Sequence, residues 1–152
     1  MAISLYEELN SYLKNSEYWY EEYWYEEGSG KVSEILSKFT QEDWNNLIKE
    51  IFNKSVDYQE KIAYCMNDID NKNELEFLIY MTKNAKDSIV FENCLDSLIE
   101  FVTPETKFRF LSDDQLIILI TGGIRKETIE GNGRNKIYKT IYEQFFEKLN
   151  NK

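Results

Sequence analysis

The chain has 152 residues, 42% hydrophobic and 30% charged, with only six glycines and one proline, Pro104. That is enough for one globular domain of 1–152 with a core, and it excludes collagen-like, proline-rich and disordered classes. There is no histidine, which removes Ser-His-Asp and Cys-His catalysis and His-ligated metals, and the formal charge of −10 repels the phosphate backbones of nucleic acid.

Helical periodicity dominates the chain from its start. Leu5, Leu9, Tyr12 and Leu13 predict a first amphipathic helix. Residues 18–27 follow, and Gly28, Ser29 and Gly30 are expected to end that segment and free it from the rest. Val32, Ile35, Leu36 and Phe39 mark a short second helix. Thr40 is a plausible N-cap for a third, whose stripe is Trp44, Leu47, Ile48, Ile51 and Phe52. Ser55 or Asp57 caps the next, carrying Tyr58, Ile62, Cys65, Met66 and Ile69. After a polar break at 67–73 comes a helix with Leu75, Leu78, Ile79 and Thr82. Asp87 or Ser88 caps a long one carrying Cys94, Leu95, Leu98, Ile99 and Val102. Pro104 suits the first position of a short helix capped by Thr103. Asp113 and Asp114 precede the apolar run 116–120, read as a buried helix because no second strand exists to pair with it. Gly122 and Gly123 end or bend it, 126–135 reads as a loop, and Ile137, Tyr138, Ile141, Tyr142, Phe145, Phe146 and Leu149 predict a last helix.

The helix pairs near 41–69 and 73–102 match at a spacing of about 31, with Leu47 and Ile48 corresponding to Leu78 and Ile79, and Ala63 to Cys94. Such a pair cannot bury its stripe alone, so stacking is expected. The expected fold is all-α, a stack of antiparallel helix pairs of HEAT-like or α-solenoid-like kind over 31–152, preceded by an acidic aromatic region over 1–30. An irregular helical bundle is the alternative.

The charge is unevenly spread. Residues 1–76 hold 17 acids against 7 bases, whereas 77–152 hold 11 of each. The excess is densest beside the least ordinary segment, where Tyr-Trp-Tyr-Glu-Glu is written twice over 18–27. A five-residue repeat advances about 140° around an α-helix, at about 100° per residue, so the six rings spread around it. Alternation along a strand fares no better, because Trp19, Glu21 and Tyr23 would share a face. Neither geometry buries all six rings while leaving all four acids in water, so some rings are exposed or covered by a partner. Tyr and Trp are enriched in binding hot spots, and interleaved glutamates suit a basic surface. The alternative is that the segment wraps the core with its hydroxyls in water. The candidate partner-binding residues are Tyr18, Trp19, Glu21, Glu22, Tyr23, Trp24, Glu26 and Glu27, with Asp57, Asp68 and Asp70 behind them.

Catalytic sets are poorly matched. Asp68, Asp70 and Glu74 begin like a calcium loop, but Lys72 takes a ligand position, Asn73 replaces the glycine and Ile79 stands twelfth. The glycines at 122–123 and 131–133 lack the phosphate-loop patterns. No catalytic, metal or cofactor residue is assigned, and no cofactor is expected. Cys65 and Cys94 lie in apolar helical patterns and read as buried reduced thiols. No run reaches about 18 apolar residues, and the first ten lack a signal peptide's basic and apolar regions, so a cytoplasmic protein without membrane association is expected.

The run from Trp44, Asn45, Asn46 and Leu47, through 57–66 (Asp57 to Met66), to Glu74, Leu75, Phe77 and Leu78 resembles small HEAT-like immunity proteins. These accompany bacterial polymorphic and contact-dependent growth-inhibition toxins. The resemblance spans roughly residues 40–102 and lies in the pattern of helix pairs, not in a motif. It implies a non-enzymatic cytosolic protein that binds a cognate toxin, often a nuclease with a basic active site, and occludes it. The alternative is a helical adaptor that binds a cellular protein or peptide in a solenoid groove.

Overall fold

The computed structural model describes residues 3–120 and 147–150. Every regular element among them is helical and there is no strand. The chain divides into two compact units, Met1–Met66 and Asn67–Lys152. Among the described residues no helix is long and apolar enough to cross a membrane.

The first unit opens with α1 (Leu5–Leu13), where the Ser4 side chain accepts from the Glu7 N–H and Leu9 and Leu13 turn inward. A single 3₁₀ turn at Ser16–Tyr18 follows, then α2 (Glu21–Tyr23), a π-helical turn at Trp24–Gly28, and α3 (Ser29–Ser37). These last three run on without a break. The expected end at Gly28–Gly30 is therefore corrected: these residues lie inside the helical run. Gly28 is buried beneath two indole rings, and its lack of a side chain is used for close approach instead of a stop.

The helix α4 (Gln41–Glu50) begins with a reciprocal cap. Thr40 accepts from the Asp43 N–H, and Asp43 accepts from the Thr40 N–H at 3.0 Å. Asp43 is buried, and its other oxygen accepts from the Tyr6 N–H at 3.2 Å, which ties α1 to α4. A 3₁₀ turn at Ile51–Asn53 leads to α5 (Val56–Cys65), capped by Ser55. The helix stops at Cys65, so Ile69, expected on its stripe, lies outside it and is exposed. The main packing is α1 on α3, α1 on α4 and α3 on α5. Leu9, Val32, Leu36, Trp44, Leu47, Ile51 and Ile62 form the core, all essentially excluded from water.

The second unit contains α6 (Lys72–Asn84), capped by Asn71, and α7 (Ser88–Ile99), capped by Asp87. They pack on each other around Phe77, Leu78, Met81, Val90, Cys94 and Leu98. So the two helix pairs of the 31-residue repeat both exist as elements, but their main packing partners differ: α4 and α5 pack chiefly on α1 and α3, α6 on α7. The short helix expected at Pro104 begins later, as α8 (Lys107–Leu111). Residues 104–106 form a turn in which the Thr103 and Thr106 hydroxyls each accept from the other's backbone N–H. The apolar run lies in a helix at 114–120, where Asp113 accepts from the Leu116 N–H at 3.1 Å. Gly122, Gly123, the loop 126–135 and the last helix before residue 147 lie outside the described residues. Residues 147–150 are helical, with Leu149 buried.

Candidate acidic aromatic interface

The doubled pentapeptide folds as an extended residue pair leading into a helix start and a π-turn. Trp19 and Tyr20 have extended backbones, and the helix begins at Glu21. The π-turn closes when the Ser29 N–H donates to the Trp24 carbonyl, five residues back. This wider turn lets Trp24 lie inward at only 7% exposure, while Tyr25, Glu26 and Glu27 face water.

The two tryptophans form a base. Trp19, half-buried, lies 6.3 Å from Trp24 between ring centroids, with the planes 30° apart. Gly28 sits directly against them: a Cβ there would lie 2.9 Å from Trp24 Cε3 and 3.2 Å from Trp19 Cζ3. Further rings extend the array in both directions. Tyr12 contacts Trp19 at 5.1 Å and Tyr23 contacts Trp19 edge-on at 5.0 Å. Tyr64 of α5 lies 5.8 Å from Trp24 and 5.6 Å from Tyr25. The Tyr12 and Tyr23 hydroxyls are 2.7 Å apart, and burial together with this bond holds Tyr12 well above the usual phenol range.

Two of the chain's own cations lie against rings of the array. The Lys31 ammonium lies 5.2 Å from the Tyr12 ring centre and the Lys61 ammonium 5.3 Å from that of Trp24. Lys61 is also paired with Asp57, whose second oxygen accepts from Ser16 Oγ at 2.6 Å. Asp57 thus braces the array from within.

The outer side carries the opposite character. Tyr18 is 80% exposed, Tyr20 84% and Tyr25 58%, and Glu21, Glu22, Glu26 and Glu27 are exposed beside them. Among the described residues no cation forms an ion pair with any of these four glutamates. No protein-family model, curated protein or solved structure matches this chain.

Of the eight residues singled out at 18–27, Trp19, Tyr23 and Trp24 join the ring array, whereas Tyr18, Glu21, Glu22, Glu26 and Glu27 are exposed along the same segment. Tyr20 and Tyr25, not singled out, are among its most exposed rings. Their signal was the position just before each glutamate pair. Tyr12, Tyr64, Lys31 and Lys61 carried no local signal, because tertiary packing of α1, α3 and α5 brings them in. Asp68 and Asp70 belong to the second unit, exposed in the turn before α6, where Asp68 Oδ1 accepts from the Asp70 N–H. Nearby, Glu74 is buried and accepts from the Asn67 and Asp68 N–H groups at 3.0 and 3.2 Å. Burial pushes its carboxyl up to about 7 against the lowering effect of those bonds. Cys65 and Cys94 are buried thiols outside any disulfide, and burial pushes the Cys94 thiol up to about 12, which makes it a poor nucleophile.

Proposed function

We propose that this chain acts by binding, as an immunity-type inhibitor that covers a basic cleft on a cognate toxin, such as a nuclease domain, and excludes its substrate. The observation that carries the reading is the outer surface of 18–27: exposed tyrosines and four glutamates without an ion pair among the described residues, in the segment that carries the packed tryptophan pair. Tyrosine rings, with few rotatable bonds, supply contact area at little entropic cost, and the carboxylates steer a cationic partner. The resemblance of the helix pairs over 40–102 to HEAT-like immunity proteins supports a toxin as partner. In this reading the helix pairs stack as a scaffold and the protein works in the cytoplasm, needing neither cofactor nor nucleic acid.

The test is co-expression with the toxin encoded in the adjacent reading frame. The native chain should restore growth, and a variant with Glu21, Glu22, Glu26 and Glu27 replaced by lysine should not. Full protection by that variant would remove this face from the interface.

A further inference from the structure

Resting on that reading, we infer that the outer face takes arginine side chains of its partner, each guanidinium stacked on a tyrosine ring and bonded to the glutamate beside it. The inner side of the same array contains a worked instance of the arrangement. Lys61 is held between an aromatic face, Trp24, and a carboxylate, Asp57. The outer side repeats the two parts without a cation among the described residues. Tyr20 stands next to Glu21 and Glu22, and these three line an open recess. Tyr25 stands next to Glu26 and Glu27.

The distinction between the two cationic side chains follows from exposure. Inside the unit a lysine is desolvated by its surroundings and needs no planar group. On the outer face the cation remains in water, where a strongly hydrated ammonium gains little from an exposed ring. A guanidinium is planar and more weakly hydrated, so it can stack on tyrosine while its edge N–H groups bond a carboxylate bidentately. Both contacts are made at once by one group.

The experiment titrates the full chain with an oligo-arginine peptide and an oligo-lysine peptide of equal length at physiological salt. Tryptophan fluorescence and amide chemical shifts report binding. The arginine peptide should bind roughly five-fold or more tightly than the lysine peptide, with shifts centred on 18–27. Tyr20→Leu, which keeps apolar bulk but removes the ring, should shrink that advantage and leave the lysine affinity unchanged. Glu21→Gln with Glu22→Gln should weaken both peptides. Equal affinities, or an arginine advantage left undiminished by Tyr20→Leu, would overturn the guanidinium assignment. If both peptides still weakened on glutamate replacement, the acidic-surface reading would stand. Binding of neither peptide, or shifts confined to residues after 66, would overturn both.

Discussion

At Gly28, two opposed effects set the cost of a single methyl group. Alanine would raise local helix propensity by about 1 kcal/mol, but its Cβ would press into the Trp24 and Trp19 rings at 2.9 and 3.2 Å. Neither is a flexible chain end, and overpacking costs about 1–3 kcal/mol. Gly28→Ala should therefore lower stability by about 1 kcal/mol net, read as a lower urea midpoint, with a changed near-ultraviolet dichroism from the indole pair. The sequence displayed this glycine clearly but not its meaning, since a chain break and a close approach both select glycine. Glu74 is a second residue-scale case. Its folded pKa of about 7 lies above the ordinary carboxylate value of 4.5, so the folded state holds the proton more tightly than the unfolded one. Its effect on stability is favourable below about pH 4.5 and is lost as pH rises to about 7. Glu74→Gln keeps an acceptor for the Asn67 and Asp68 N–H groups and removes the buried charge. The variant should gain on the native chain across that window, by about 1–3 kcal/mol at pH 8, in urea unfolding run at a series of pH values.

At the scale of elements, the helices were largely legible because their caps and stripes are local. Thr40, Ser55 and Asp87 each cap the helix assigned to them, and Trp44 lies in the core, edge-on to Phe39 at 5.1 Å. The start of α4 permits a graded test. Thr40→Ala loses a cap worth about 1 kcal/mol. Asp43→Ala keeps that cap but leaves both the Thr40 and the Tyr6 N–H groups without their acceptor, so it should cost about 2–3 kcal/mol in the same denaturation series. A smaller loss for Asp43→Ala than for Thr40→Ala would mean that its bond to Tyr6 does not tie α1 to α4. Elements were misread where a residue has two local meanings. Pro104 favours a helix start but equally a turn, and the paired threonine hydroxyls at 103 and 106 hold it as a turn. The π-turn was not legible, because neither the 3.6-residue nor the two-residue period describes a ring whose carbonyl is bonded five residues on.

For the whole molecule, the charge of −10 resolves into a located property. Four of the acids stand exposed within residues 21–27 without an ion pair among the described residues, so their charge is available to a partner instead of being used within the fold. Replacing all four with glutamine brings the formal charge to −6 and should change folding stability by no more than about 0.5 kcal/mol. Association with the toxin should slow markedly, and its salt dependence should flatten, in stopped-flow measurements over a range of ionic strength. Composition and the repeated pentapeptide made the position of this face readable. The tyrosines at 12 and 64 and the lysines beneath them were not, because they arrive from helices far apart in sequence.

The turn at Trp24–Gly28 has a consequence for how this surface is set relative to its scaffold. A bond reaching five residues back, where four is the rule, amounts to one surplus residue in the helix. Removing any one of Tyr25, Glu26 or Glu27 would let the helix close with ordinary turns. Everything before that point would then rotate by about 100° against α3. The outward tyrosines would swing with it, and Trp19 would leave its seat on Gly28. One residue thus acts as a phase adjuster that aims an otherwise rigid face.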